Sequence, residues 1–198
     1  SSLVISFLFR PMLQPPQAQR LTMICGLAVL DALRVNVGVR AGLKWPNDIL
    51  YREQKLGGIL AELHVSGDRV DYVVVGIGLN VNLDPARLPE DLLVPATSLS
   101  DILGRPVSRI PLLTTLLRAV DTRYLDLQAG WLPQQEWAKH LVTLGQPVRV
   151  TSGSSSYSGI AHAVDGDGAL LVRTADGHLR AVSSADVTLR TQDPVSDL

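Results

Sequence analysis

The segment GLKWPNDILYREQKLGGILAEL, residues 42 to 63, gathers a lysine, a tryptophan, a Pro-Asn-Asp turn and paired glycines in one stretch. Lys44 ends a strand-like run just before Trp45-Pro46, where proline fixes its own backbone and restricts the residue ahead of it. A compact ammonium beside a rigid turn suits a carboxylate or a phosphate. A salt-bridged surface lysine before an ordinary turn fits the same residues. Gly57 and Gly58 interrupt a strand, where glycine weakens packing unless something approaches the backbone closely. A flat ligand would do so, as would a β-bulge or a crossing with a bulky neighbour. VVVGIGLNVN, residues 73 to 82, repeats the pattern with Gly76 and Gly78. Asn80 follows, and its amide either donates and accepts as an adenine edge requires or forms a turn. GIGLN lacks the third glycine of a dinucleotide-binding loop, and strand-like sequence continues where a helix should start, which excludes that reading.

The elements that must carry these groups alternate between strand and helix. LVISFLFRP places Leu3, Ile5, Phe7 and Phe9 on one strand face. AQRLTMICGLAVLDALR is apolar almost all round and predicts a helix packed inside a domain. Strands follow at GLKW, KLGGILAELHV and RVDYVVVGIGLNVNL, the last two joined as a hairpin by Ser66, Gly67 and Asp68. Residues 84 to 106 form a long connection in which VPATSLSDILG contributes a short helix. Pro111 is expected to open an amphipathic helix with Leu113, Leu116, Leu117, Val120, Tyr124 and Leu127 on its packed face. A second short helix falls at PQQEWAKHL.

From Leu144 the pattern becomes all-β, with strands at QPVRVTS, YSGIAHAVD, ALLVRTADGHLRAVS and ADVTLR. Turns at Asp165 to Gly168 and Ala175 to Gly177 separate them, as in a small barrel or sandwich. TSGSSSYSG reads as a flexible hairpin loop. A boundary near residue 142 divides an α+β unit, 1–142, from a β unit, 143–191, with a frayed tail over 192–198.

Composition narrows the function classes. The chain has 198 residues, 46% of them hydrophobic, enough to bury a substantial core. Lys and Arg number 18 against 19 Asp and Glu, a formal net charge of -1, which gives no broad footprint for nucleic acid or an anionic membrane. The single cysteine, Cys25, cannot form an intramolecular disulfide; it reads as a packing residue in a reducing compartment. No apolar run approaches the roughly 20 residues needed to span a bilayer. The start lacks the order of a signal peptide, so the chain reads as cytoplasmic. It opens without methionine, directly in a strand, like a chain cut into mid-domain. There is no metal-ligand spacing.

KWPND, KLGGIL and GIGLN in that order, followed by ATSL at residues 96 to 99 and a small β unit ending DVTLR, resemble the biotin protein ligase family from Ser1 to about Arg190. The resemblance implies an α/β catalytic domain with a mixed sheet, related to class II aminoacyl-tRNA synthetases and lipoate ligases, followed by an SH3-like barrel. It implies that biotin and ATP give biotinoyl-5′-AMP and pyrophosphate, and that biotin then passes to a lysine of a biotin carboxyl carrier domain. Magnesium would accompany the nucleotide, and a homodimer is possible in this family. Lys44 would neutralise the biotin carboxylate and then the α-phosphate, a preorganised role worth on the order of a few kcal/mol. Gly57 and Gly58, with Ile59 beside them, would let the fused rings approach the sheet, and Gly76 and Gly78 would keep its floor bare. Asn80 would contact adenine; Asn47 and Asp48 would shape the turn and organise the magnesium and phosphate region. Arg190 would reach the nucleotide from the barrel, while Trp45 reads as core.

The family's Ser-Thr-Asn motif and Gly/Arg-rich loop, which precede the strand matching LVISFLFRP, have no counterpart here, nor does the helix-turn-helix of its repressor members. These residues are therefore expected to be the C-terminal portion of a ligase that adenylates biotin poorly on its own. Two other readings remain: a lipoate or octanoyl transferase, and a non-catalytic module that binds biotin or the carrier domain.

Overall fold

The structure, a computed structural model, describes residues 2–84, 95–153 and 155–183, together with the backbone of 186–189. Arg190 lies outside the described residues.

The first strand, β1 (Leu3–Phe9), alternates as its sequence dictates, with Leu3, Ile5, Phe7 and Phe9 turned inward and Val4 and Leu8 outward. Helix α1 (Gln19–Val37) follows a short 3-10 turn at Pro15–Ala18. It is apolar on nearly every side because it has neighbours on nearly every side, with the sheet beneath it and two later helices against it. Gly26 brings helix and sheet close: a Cβ there would stand 3.3 Å from Leu43 Cδ1. Gly38, at φ 69, ends the helix in the left-handed conformation that glycine adopts without strain.

The helix carries the chain from one edge of the sheet to the other. β2 (Gly42–Lys44), β3 (Asp48–Tyr51), β4 (Gln54–Ser66) and β5 (Arg69–Leu79) then return as a meander, giving the order β1-β5-β4-β3-β2. All named pairs are antiparallel, where a mixed sheet was expected; short hairpins dictate this for β2 to β5, and β1 joins β5 antiparallel as well. Among the described residues parallel character survives only in isolated bridges, Leu43 with Leu141 and Lys55 with Ala96. The strand β3 has no counterpart in the sequence reading, because DILY directly after a turn is too short to show a period.

Helix α2 (Leu99–Leu103) is capped by Ser98, whose hydroxyl accepts from Asp101 N–H. Helix α3 (Arg109–Gln128) begins two residues before Pro111, which occupies its first turn. Its packed stripe is Leu112, Leu116, Val120 and Leu127 with Tyr124 beside them; Leu117 is exposed. Tyr124 meets Phe9 of β1 with ring centroids 4.9 Å apart. Helix α4 (Gln134–Lys139) buries Trp137. Arg123 ties these helices together, donating to Asp31 of α1 and Glu136 of α4.

The second sheet comprises β6 (Pro147–Ser152), β7 (Ser155–Val164), β8 (Leu170–Arg173), β9 (Leu179–Val182) and β10 (Asp186–Leu189), in the order β10-β6-β7-β8-β9, again antiparallel. The strand expected from Tyr157 begins two residues earlier, at Ser155, within TSGSSSYSG, a stretch also expected as a loop: Ser155, Ser156, Tyr157 and Ser158 pair with β6. Gly159 is required there, since a Cβ would fall 2.4 Å from Arg173 O. Among the described residues no helix is long and apolar enough to cross a membrane.

Cys25 lies in the centre of α1 with no exposure, and burial pushes its thiol up from an ordinary value of 9.0 to about 12. The native protein should therefore resist a thiol reagent at pH 8, with labelling at the rate of unfolding. The unfolded chain releases this proton at lower pH than the folded one. The stabilising contribution should accordingly be complete below about pH 9 and decline towards pH 12, measured as the denaturant midpoint of Cys25→Ala against the parent.

Candidate functional site

α1 covers one face of the first sheet, and the chemistry sits on the other. The registers of four strand pairs put Val4 opposite Gly78, Gly78 opposite Gly58, Gly58 opposite Asp48, and Asp48 opposite Lys44. Residues far apart in sequence thus form one cross-strand row, about 19 Å long at the usual strand spacing. A second row sets Ser6 beside Gly76 and Gly76 beside Leu60. Together they bound a cleft of about 300 Å³ lined by Val4, Asp48, Lys55, Gly58, Gly76 and Gly78 among others.

The glycines of this cleft divide into two kinds. A Cβ on Gly78 would meet nothing within 4 Å, one on Gly76 nothing nearer than 3.8 Å, and one on Gly58 nothing nearer than 3.6 Å. Packing does not require these three to be glycine, so the bare surface they leave is available to a ligand. Gly57 is different: it pairs with the buried Leu79 and Ile49, and a Cβ there would lie 2.4 Å from Gly78 O. It serves close approach of β4 to β5, beside the irregularity that shifts the β3–β4 register after Ile49. Ile59 also points inward, with its side chain 3% exposed.

Two cations stand at the polar end of the row. Lys44 is half-buried and makes no ion pair among the described residues. Lys55 reaches across the β3–β4 hairpin to Asp48, Nζ to Oδ1 at 2.5 Å. With Lys55 42% exposed, such a pair contributes only about 0–1 kcal/mol to stability. Its effect is positional, holding an ammonium over the glycine floor. Lys55 was missed in the sequence, although it stands within KLGGIL; its role depends on Asp48 and on the unrecognised strand β3.

The amides hold the frame. Asn47 donates from Nδ2 to Ile59 O at 2.7 Å and accepts at its own carbonyl from Ile59 N–H at 2.9 Å, clipping the turn onto β4. Asn80 donates from Nδ2 to Thr97 O at 3.1 Å and accepts from Leu99 N–H at its carbonyl, which ties ATSL to the end of β5. Thr97 N–H donates to Lys55 O, and Lys55 N–H to Pro95 O, so the same segment braces the Lys55 backbone. Among the described residues the side-chain oxygens of Asn47 and Asn80 remain as acceptors. A cleft of about 510 Å³ lies among the helices, but its Arg123 is already engaged by Asp31 and Glu136.

Residues 1–80 match the Biotin/lipoate A/B protein ligase family, and residues 143–190 match the Biotin protein ligase C terminal domain. The Biotin--[acetyl-CoA-carboxylase] ligase of Paracoccus denitrificans is 33% identical over 86% of this chain and 72% of its own length. The chain belongs to the biotin protein ligase family. Another member of that family, the bifunctional ligase/repressor BirA of Bacillus subtilis, is 33% identical over 93% of the chain; the chain spans 57% of its length. The biotin protein ligase of Aquifex aeolicus superposes with a TM-score of 0.81, at 28% identity, over 96% of this chain and 82% of that one. Its complex with biotin and ATP gives 0.79, covering 78% of that chain.

The two kinds of glycine in this ligase-family chain are separable by stability. Gly57→Ala should destabilise by roughly 1–3 kcal/mol, since backbone rather than a movable side chain opposes the methyl. Gly78→Ala should stay within about 0.5 kcal/mol of the parent in a urea titration.

Proposed function

We propose that the protein of which this chain is part is a biotin protein ligase, which activates biotin with ATP and transfers it to a lysine of a biotin carboxyl carrier domain. The observation that carries this reading is the pair of neighbouring rows in which a bare glycine floor leads to Lys44, with Lys55 brought to the same end by its pair with Asp48. Gly58, Gly76 and Gly78 receive the fused rings, and Ser6, Val4 and Leu60 flank them. The carboxylate then points to the cationic end. Lys44 screens the repulsion between the carboxylate and the α-phosphate as the carboxylate oxygen attacks phosphorus and pyrophosphate leaves. Lys55 supplies a second positive charge at the same end. In the transfer step the acceptor amine attacks the acyl carbon, AMP departs and the amine loses its proton.

The nucleotide lies towards Asn80 and the β2–β3 turn, with Arg190 contributing from the C-terminal unit. Oxygens of Asp48, whose Oδ1 is held by Lys55, and of Asn47 would suit the hard magnesium cation that accompanies ATP. The Aquifex aeolicus complex supports the same pair of substrates. Residues 1–142 form the catalytic unit and 143–191 an SH3-like barrel, a division supported by the family match that starts at residue 143. A homodimer belongs to the same proposal: among the described residues no strand pairs with β4 on its β3 side beyond Gly58, Asn47 clips only the next residue, Ile59, and Leu60, Leu63 and Val65 are exposed there.

The full-length protein should catalyse biotin-dependent ATP–pyrophosphate exchange, and lipoate should not replace biotin. Lys44→Ala should lower the exchange rate about 10²- to 10³-fold, with a smaller loss for Lys55→Ala. Gly78→Val should abolish biotin binding by calorimetry while the fold persists. Exchange that ignores biotin, or survives Lys44→Ala unchanged, would refute the assignment.

A further inference from the structure

We propose that the C-terminal unit positions Lys44: Thr143 and the carbonyl of Gly168 grip Trp45, the next residue, and so set where the ammonium stands. The inference rests on the ligase reading of the cleft and assigns it a dependence on residues outside the sheet. β2 is the outermost named strand, held by β3 on one side. On the other side, Leu43 N–H donates to His140 O and Leu43 O accepts from Val142 N–H, both at 2.8 Å. The segment leading into the second sheet therefore meets β2 at an isolated parallel bridge, Leu43 with Leu141. Two residues further on the pattern changes. Trp45 N–H donates to a side chain, Thr143 Oγ1, at 2.9 Å.

Both partners are sealed from water, with Thr143 0% and Trp45 1% exposed, so this N–H has no alternative acceptor in solvent. The second donor of Trp45, Nε1, meets Gly168 O at 2.9 Å in the turn between β7 and β8. That turn is itself fixed. Asp165 Oδ1 accepts from Asp167 N–H and Ala169 N–H, and Asp167 pairs with Arg20 of α1 at 2.8 Å. Gly168, at φ +91, fits so tightly against α1 that a Cβ would lie 2.5 Å from Met23 Cε. Backbone and ring of Trp45 are thus both held by residues of the C-terminal part. Lys44 has no ion pair of its own among the described residues, so its side chain takes its position from this anchored backbone.

Thr143→Val in the full-length protein removes the acceptor and keeps the shape, whereas Thr143→Ser keeps the acceptor. In biotin-dependent pyrophosphate exchange, the valine variant should lose about 10- to 100-fold in kcat. KM for biotin and ATP should move by less than about threefold, and serine should restore the rate. A purely structural threonine would instead lower Tm and leave kcat unchanged, which overturns the proposal. Reductive ¹³C-methylation gives a readout independent of activity, with the Lys44 resonance assigned by Lys44→Arg. That resonance should shift in Thr143→Val and stay in place in Thr143→Ser, while those of Lys55 and Lys139 remain fixed. An unmoved Lys44 resonance overturns the proposal even if exchange is lost. A parent protein without exchange would refute the ligase reading alone, because the resonance still decides the coupling. If Thr143→Val does not fold, Trp45→Phe, which deletes the ring donor and shortens the buried ring system while leaving the backbone donor to Thr143, is judged by the same shift and the same fall in kcat.

Discussion

The register between β4 and β5 is the constraint on which the rest of the site depends. It sets Gly58 against Gly78 and Leu60 against Gly76 on the open face, while Val73, Val75, Ile77 and Leu79 fill the core. Side chains alternate along a strand, so a slip of one residue would turn Ile77 and Leu79 into the cleft and bury its glycines. The apolar face opposes such a slip, since fully burying each of these side chains is worth about 1.5–3 kcal/mol. Gly57 adds a local lock, because only a residue without a Cβ lets β4 come so close to Gly78 O. A surface that a ligand can use is thus fixed by contacts on the side no ligand reaches.

Electrostatics then gives that surface a direction. The floor is uncharged and the β2–β3 end carries two lysines against one aspartate, so an anionic head group gains by lying at one end only. The opposite side of the domain treats charge differently. There Arg123 is shared between two carboxylates and lies over the ring of Trp131, which satisfies it internally and joins α1, α3 and α4. One cluster is closed and structural; the other leaves Lys44 without an internal partner among the described residues.

Much of this was legible in the sequence wherever local pattern decides. The alternation of LVISFLF, the all-round apolarity of α1, the Gly67 hairpin and the C-terminal succession of strands each follow from a period or a turn residue, and the structure has them. Lys44 and the glycines of the floor stood out because their types conflict with the strands that hold them. What depended on pairing was not legible. Nothing local distinguishes Gly57, which serves the approach of two strands, from Gly58, which faces the cleft. Lys55 acquires its place from Asp48 across a hairpin, and the two donors of Trp45 are met by residues about a hundred positions away. In α3, Leu116, Val120, Tyr124 and Leu127 pack as expected, but at its start Leu112 takes the place of Leu113 and Leu117 is exposed, because several leucines in succession satisfy more than one helical face.

The path of the chain across the first sheet also bears on how the cleft comes together. β2 to β5 are joined by short turns, so each of their pairings closes a small loop. β1 pairs with β5 only after α1 and the entire meander have been spanned. The entropy lost on closing a loop rises with its length, and non-local strand pairing is correspondingly slow. The pairings of Lys44 with Asp48, Asp48 with Gly58 and Gly58 with Gly78 therefore belong to the part of the sheet that local folding can complete. Val4 and Ser6 arrive with the last strand to dock. The strand pairings at the cationic end are short-range, although Lys44 is set only once Thr143 and Gly168 have closed on Trp45, while the far wall waits on β1–β5, the longest pairing between named strands of the first sheet.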